Sequence, residues 1–132
     1  MGFVVDTFAV IPQPDEEGRY PLAPNEAFVR ELAYPSALRK PVRDHGTRAF
    51  DGSAYDAVIA QITGMSLIRD YIAPEVVAQM SARLDAIAEN DTLWADLTRE
   101  ERRTLVQWFR VCQQHGYGVY GALRLGRKAG RP

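Results

Sequence analysis

The densest group of side chains that could do chemistry lies between positions 39 and 48. Five basic or potentially basic residues fall within these ten positions: Arg39, Lys40, Arg43, His45 and Arg48. With a proline and a glycine in the same stretch, the segment could fold around an anion, such as a phosphate or an acidic patch of a partner. His45 would be the residue for acid–base work near neutral pH. The alternative is a solvated loop whose arginines pair with acids elsewhere in the domain.

A second basic surface is predicted on the helix over residues 99–115. One stripe of this helix carries mainly arginine, and a fourth arginine lies beside it, so that the basic residues are Arg99, Arg102, Arg103 and Arg110. Such a stripe is typical of the solvated side of an amphipathic helix. It could also bind an acidic partner or a nucleic-acid backbone, and the nearby Tyr117 and Tyr120 would suit an interface.

Cys112 and His115 lie three positions apart on the same helix, close enough for their side chains to meet. A thiolate–imidazole pair would be nucleophilic. The alternative is that Cys112 fills the core while His115 lies in the last helical turn, where the helix dipole favours a positive charge. The alternative is the more common arrangement, and we predict no catalytic residue.

Residues 116–121 read G-x-G-x-x-G, the spacing of a dinucleotide-binding loop. That loop must follow a strand and open a helix, and it needs an acidic residue about 20 positions further on. Here the glycines follow a helix and lead into a strand, and no acid occurs after Glu101. We therefore interpret them as a helix end and strand glycines. His45, Cys112 and His115 lack the spacing of metal ligands, so neither a cofactor nor a metal is predicted.

The element that positions the second basic surface is the clearest in the chain. Thr98 and Glu101 form a capping box at the start of the helix over 99–115, and Gly116 ends it. Residues 117–125 then read as a strand. A helix over 74–90 is indicated by Pro74 in its first turn and by apolar residues at a spacing of three and four.

The remaining elements are shorter. Residues 3–11 predict a strand covered on both faces, and Asn25 is expected to cap a helix over about 26–33. Ser53 or Asp51 could begin a helix that ends at Thr63. Residues 65–72 are ambiguous between a helical turn and a strand, and 35–52 is the least regular stretch.

The chain has 132 residues and a net charge of −1, from 16 basic and 17 acidic residues. This length suits one domain, and the balance argues against a uniformly basic nucleic-acid coat protein. The charge is unevenly distributed: residues 70–101 hold two basic and eight acidic residues, whereas 102–132 hold seven basic and none acidic. Part of this asymmetry could cancel inside the fold, if the acidic helix over 74–90 faces the basic terminus.

These elements predict a helix-rich α+β fold with a small antiparallel sheet that uses the N-terminal and C-terminal strands. One globular domain is expected over residues 1–125, followed by a flexible basic tail over 126–132. The single cysteine favours a reducing compartment, and neither a signal peptide nor an apolar run of membrane-spanning length is recognisable, so we expect a cytoplasmic protein.

Residues 94–120 carry a Trp, a capped helix with Glu100-Glu101 near its start, the pair Trp108-Phe109, then Cys112 and a glycine-rich exit. This segment resembles small uncharacterised bacterial proteins, some with the character of immunity proteins for bacterial toxins. The resemblance implies a binding protein and transfers no catalytic residue.

Three functions follow from the sequence as hypotheses. The first is a non-enzymatic interaction module that masks a protein partner with an acidic surface, through the 39–48 segment and the exposed arginines of the last helix. The second is a small anion-ligand binder or enzyme that uses His45, Arg43 and Arg48, with Asp44 or Asp51 as a carboxylate. The third is nucleic-acid binding through the basic C-terminal region.

Overall fold

The centre of the fold is the pairing of two strands from opposite ends of the chain. In the computed structural model, which describes residues 3–43 and 45–125, β1 (Phe3–Val10) and β4 (Gly118–Leu125) run antiparallel along their whole lengths. β2 (Ala49–Asp51) pairs with the other edge of β1, and β3 (Tyr71–Ile72) pairs with the other edge of β4. The sheet order is β2-β1-β4-β3. The predicted single-domain α+β fold with terminal strands in an antiparallel sheet is confirmed.

The described part of the chain also has four α-helices: α1 (Glu26–Glu31), α2 (Asp56–Thr63), α3 (Pro74–Ala86) and α4 (Arg99–His115). They pack on one face of the sheet, because alternate strand residues on that face belong to the same buried cluster as the helices. The strand members of this cluster are Ala9, Phe50, Ile72 and Val119. All of them are at most 2% exposed, so the core is a two-layer helix-on-sheet packing.

Helix α4 supplies the largest part of the core. Its start is the predicted capping box: the Thr98 hydroxyl accepts from the Glu101 N–H, and the Glu101 carboxylate accepts from the Thr98 N–H. Its end is Gly116, whose φ of 71° is the left-handed conformation that glycine adopts readily. Between them Trp108 is fully buried, and its indole Nε1 donates to the Thr47 carbonyl at 3.0 Å.

Three rings contact Trp108, and two of them come from other parts of the chain. Phe50 of β2 meets it edge-on at a centroid distance of 4.8 Å, and Phe109 does so at 5.1 Å. Phe28 of α1 lies at 5.5 Å. The indole therefore joins α1, α4, the sheet and the segment before β2, with its polar atom satisfied, as a buried Trp requires.

Several local features differ from the predictions. Asn25 does not cap α1 with its side chain; its Oδ1 instead accepts from the Thr47 hydroxyl and the Arg48 N–H, so it organises the segment before β2. Helix α3 ends at Ala86 rather than at residue 90, because Ile87 adopts an extended conformation. The irregular stretch 35–52 contains β2, which was not predicted.

Tyr55 connects the segment after β2 to the start of α4. Its hydroxyl donates to Glu101 Oε2 at 2.8 Å and accepts from the Arg39 N–H at 2.9 Å. Burial, as the largest cause, and the hydrogen bond to the Glu101 carboxylate raise the pKa of Tyr55 from 10 to about 12. A raised pKa means that the folded state holds the phenolic proton more tightly than the unfolded state does.

Within the part of the chain that the structure describes, none of the helices has the length and apolar character needed to cross a membrane.

Replacing Tyr55 by phenylalanine should lower the free energy of unfolding at neutral pH by about 1–2 kcal/mol, because the Glu101 carboxylate and the Arg39 N–H lose their partner. The wild-type advantage is complete below pH 10 and should be lost as the pH rises through about 12. Denaturant unfolding and an ultraviolet titration of the tyrosines measure both effects. The exposed Tyr34→Phe is the control, and equal stability of Tyr55→Phe and wild type would contradict the assignment.

Candidate functional site

The face of the sheet opposite the helices carries a groove lined by aromatic side chains. Strand β1 contributes Phe8 and Val10, β3 contributes Tyr71, and β4 contributes Tyr120. These residues lie on the face away from the core, since Phe8 pairs with Tyr120 in the register and Tyr71 pairs with Tyr120 from the other side. The groove has a volume of about 550 Å³. We refer to it below as the open-face groove.

The segment over residues 11–23, which follows β1, forms one side of the open-face groove, and we refer to it as the wall. Three of its residues line the groove together with Gly18: Arg19, Tyr20 and Leu22. The segment folds back beside β1, because the Ile11 N–H donates to the Pro21 carbonyl at 2.8 Å and the Ala23 N–H donates to the Ala9 carbonyl at 2.9 Å. The wall is therefore fixed by main-chain hydrogen bonds at both of its ends.

The tip of this wall is closed by Asp15. Its Oδ1 accepts from the backbone N–H groups of Arg19 and Glu17, each at 2.9 Å. The hydrogen bond from Arg19 is the main reason that the pKa of the Asp15 carboxyl lies below its usual value. Gly18 completes the turn with a φ of 80°, which glycine tolerates best. A carboxylate thus holds the turn in one conformation.

Two tyrosines from distant parts of the chain meet in the groove. The rings of Tyr20 and Tyr71 are stacked, with centroids 4.1 Å apart and planes at 8°. Tyr71 also lies over Gly118 of β4: a Cβ at that position would come within 2.8 Å of Tyr71 Cε1. Gly118 thus leaves the space that the Tyr71 ring occupies, and the ring in turn covers a glycine that would otherwise weaken the strand.

The remaining lining residues are polar. His45 meets the Phe8 ring edge-on, with centroids 4.9 Å apart, and Asp70 precedes Tyr71 at the rim. The pKa of Tyr71 is raised by burial, as the largest cause, and by the nearby Tyr20 and Glu75. The groove therefore combines large ring surfaces with a few charged or hydrogen-bonding groups, the composition typical of binding sites.

The basic residues of the 39–48 segment do not converge on one site. Lys40 Nζ donates to the Pro35 carbonyl at 3.3 Å, and the Arg48 guanidinium donates to the Ala23 carbonyl at 3.2 Å. Arg43 is exposed, and Arg39 borders a separate hollow beside Tyr55. Of the five, only His45 lines the open-face groove. Asp44 lies outside the described residues.

The arginines of α4 face acids of α3 and of the segment after it. Arg103 pairs with Glu89, and Arg99 Nε lies 4.0 Å from the same carboxylate. Arg110 pairs with Asp85 at 2.5 Å, and Arg102 donates to the Glu89 carbonyl. The hydrogen bond from Arg103 is the main cause of the lowered pKa of Glu89. Acidic and basic residues that are far apart in sequence thus pair in the fold, as suggested above for the acidic helix and the basic terminus.

Beneath these ion pairs lies a second cavity of about 340 Å³ between α3 and α4. Its apolar lining comes from Leu84, Ile87, Trp94 and Val106, and its rim is formed by the paired arginines and acids. Because Arg103 and Arg110 already have carboxylate partners within the chain, this cavity presents less free positive charge than the α4 sequence suggests.

Cys112 and His115 face different surroundings. Cys112 is fully buried, and burial raises the pKa of its thiol well above the ordinary value. The His115 ring stacks on Tyr117, with centroids 5.4 Å apart, and its Nε2 lies 3.3 Å from Glu31 Oε2. The thiol is a core filler, and the imidazole belongs to a surface contact between α4 and α1.

Each of the three glycines of the G-x-G-x-x-G segment is required by a different structural feature. Gly116 ends α4, and Gly118 lies under Tyr71. Gly121 lies against the backbone, because a Cβ there would come within 2.5 Å of the Arg69 carbonyl oxygen. Their interpretation as a helix end and strand glycines is confirmed. No group of three or more His, Cys, Asp or Glu side chains within residues 3–43 and 45–125 could hold a metal ion.

The sequence did not identify the aromatic residues of the groove as a set. The predicted strand over 3–11 contains Phe8, and Tyr120 follows the basic helix, but no sequence pattern singles out Tyr20 or Tyr71. The useful signal would have been the alternation of β1 and β4, which assigns Phe8 and Tyr120 to a face of the sheet. The approach of Tyr20 to Tyr71 depends on how the wall folds back, and no local pattern encodes that.

No family model, curated protein or solved structure matches this chain. Function is therefore inferred from the geometry of the chain itself.

Cys112 should be inert in the folded protein. We expect no reaction of the native thiol with iodoacetamide in mildly alkaline buffer, and complete reaction after unfolding in denaturant, because burial suppresses both access and the thiolate. Mass spectrometry of the intact protein counts the added groups. Rapid native labelling would contradict the burial of Cys112 and would reopen a nucleophilic role.

Gly118→Ala should destabilise the protein by about 1–3 kcal/mol, because the new methyl group displaces the Tyr71 ring from its position over the strand. In a Tyr71→Ala background the same change should cost clearly less, since the obstructing ring is gone. Denaturant unfolding of the wild type, the two single variants and the double variant gives the coupling energy. Purely additive effects would show that the ring does not depend on Gly118.

Proposed function

We propose that this protein is a non-enzymatic interaction module that masks a protein partner, and that the open-face groove is its binding surface. The observation that carries the proposal is the grouping of Phe8, Tyr20, Tyr71 and Tyr120 in one concave surface on the face of the sheet that the helices leave uncovered. Aromatic residues, and tyrosine in particular, are enriched where protein interfaces gain most of their binding energy.

The ordering of the wall supports the same proposal. Both ends of the segment are hydrogen-bonded to the main chain beside β1, and Asp15 holds its tip. A surface that is already ordered loses little conformational entropy on binding, and this favours affinity. The resemblance of residues 94–120 to immunity-type proteins is compatible with a masking role. The single buried thiol of Cys112 suits a reducing, cytoplasmic location.

The geometry also favours a different binding surface from the basic surfaces that the sequence predicts. The α4 arginines and the 39–48 segment were expected to meet an acidic partner or a nucleic acid. Because Arg99, Arg103 and Arg110 have carboxylate partners within the chain, the positive charge left for either is reduced. In the open-face groove, Tyr20 and Tyr71 already stack on each other, so Tyr120, which is 36% exposed, is the ring most available to a partner.

A second candidate function is the binding of a small molecule in the same groove. The volume of about 550 Å³ lies within the range of small-molecule sites, and His45 at its edge provides a hydrogen-bonding group. This retains the ligand-binding hypothesis for His45 but without Arg43 and Arg48 as its neighbours, since neither of them lines the groove.

Affinity capture of the tagged full chain, co-expressed with the products of its neighbouring genes, tests the interaction module. We expect a stoichiometric protein partner that is lost with Tyr120→Ala, because truncation of a central interface tyrosine commonly costs 2 kcal/mol or more, about thirtyfold in affinity. Tyr34→Ala is a matched control: Tyr34 is 38% exposed against 36% for Tyr120, but it belongs to the helical layer.

Two outcomes would contradict the proposal. Recovery of no stoichiometric partner would remove the interaction module itself. A partner retained by Tyr120→Ala, or lost equally with Tyr34→Ala, would remove the open-face groove as its binding surface. Thermal unfolding of both variants verifies that each remains folded.

A further inference from the structure

The ring surfaces of the open-face groove favour one sign of ligand charge. The face of an aromatic ring carries the negative part of its quadrupole, so a cation placed over it is attracted. Four rings line this one groove, those of Phe8, Tyr20, Tyr71 and Tyr120. An arginine guanidinium is especially suited to such a surface, because it is planar and can stack on a ring while it keeps its charge.

The charged side chains around the groove have the same preference. Asp70 lines it, and Glu75 acts on the Tyr71 ring closely enough to raise the pKa of that tyrosine. The wall adds Asp15, Glu16 and Glu17.

Arg19 is the one guanidinium among the lining residues, and it is already engaged. Its Nε lies 3.7 Å from Asp15 Oδ2, and it also pairs with Glu17. Arg43, Arg48 and Arg69 are near the site but are not among the lining residues, and the Arg48 guanidinium donates to the Ala23 carbonyl. His45 adds positive charge only when it is protonated. Arg19 together with Asp15 and Glu17 therefore amounts to one net negative charge, and the Asp70 carboxylate adds a second that no ion pair of the described residues compensates.

The negative charge around the groove distinguishes a basic partner from a nucleic acid or an acidic partner. Aromatic platforms that bind nucleic acid combine their rings with a positively charged groove that follows the phosphates. Here a phosphate would meet the carboxylates of Asp70 and of the wall. A partner with an acidic surface, as expected from the sequence, would meet the same like-charge repulsion. A basic segment gains from both the rings and the acids.

We propose that the open-face groove binds an arginine or lysine side chain presented by a basic segment of the protein partner, with the exposed ring of Tyr120 against the cation and Asp70 as its counter-charge. This inference rests on the proposed function, because it names the chemistry of the partner that the interaction module masks. The groove is large enough to take the side chain together with part of the backbone that carries it.

The direct test is a titration of the isotope-labelled full chain with a short capped peptide that contains arginine, followed by amide chemical shifts. Two matched peptides carry citrulline or glutamate in place of arginine; citrulline keeps the planar shape and hydrogen-bonding capacity but removes the charge. A mildly alkaline buffer keeps imidazole largely neutral. We expect the arginine peptide to shift the amides of Tyr71, Gly118 and Tyr120, and to bind more weakly as salt is added.

Variants then assign the response to the rings and to the acid. Tyr120→Leu should weaken binding of the arginine peptide by about tenfold, as expected for loss of a partly desolvated cation–π contact. Asp70→Asn should weaken it severalfold and reduce its salt dependence. The matched controls, Tyr34→Leu and Asp96→Asn, change an exposed tyrosine and an exposed aspartate away from the groove and should leave the affinity unchanged.

The outcomes separate this inference from the proposed function. Equal binding of the citrulline peptide, tighter binding of the glutamate peptide, or no shift at the groove with the arginine peptide would overturn the cationic ligand. Binding of the arginine peptide that is unaffected by both Tyr120→Leu and Asp70→Asn would also overturn it, because the peptide would then be attracted to acids elsewhere on the protein. In each of these cases, capture of a protein partner that depends on Tyr120 would still support the interaction module. Capture that is insensitive to Tyr120→Ala would instead exclude the groove as the binding surface, whatever the peptide titrations show.

Discussion

The antiparallel pairing of β1 with β4 is the constraint on which the rest of the structure depends. It joins residues 3–10 to residues 118–125, so the sheet cannot form until almost the whole chain is in place. The period of two along each strand then gives the sheet two unlike faces. Ala9 and Val119 face the helices, whereas Phe8 and Tyr120 face away from them. One register therefore creates both the core and the open-face groove.

The same pairing explains why a nearly neutral chain contains such unlike segments. The residues between the terminal strands must cover one face of the sheet, and α3 and α4 lie side by side to do so. Acids on α3 and in the segment after it, such as Asp85 and Glu89, then face arginines of α4. Each exposed pair contributes little to stability by itself. Their larger effect is on the surface charge, because they pair arginines that would otherwise be free to meet a partner.

The sequence predicted those parts of the fold that are encoded locally. The range of α4 follows from the capping box of Thr98 and Glu101 and from Gly116, each of which acts within one turn of the helix. Strand β2 could not be recognised in this way, because only three residues pair with β1. Asn25 has the chemistry of a helix cap, but a distant segment that contains Thr47 and Arg48 competes successfully for its Oδ1. The groove is the extreme case, since its rings come from β1, the wall, β3 and β4.

Gly118 of β4 explains why the outer face of the sheet is only partly covered. With no side chain at Gly118, Tyr71 can lie over the strand, and Tyr20 can stack on Tyr71 to bring the wall against the sheet. This shelters Val10, which is only 1% exposed, but it leaves Tyr120 at 36%. A side chain at position 118 would hold Tyr71 away from the strand and would remove the surface that the wall packs against. The groove thus depends on the lack of a side chain at Gly118 as much as on the aromatic rings. For this reason the residue types alone did not predict it.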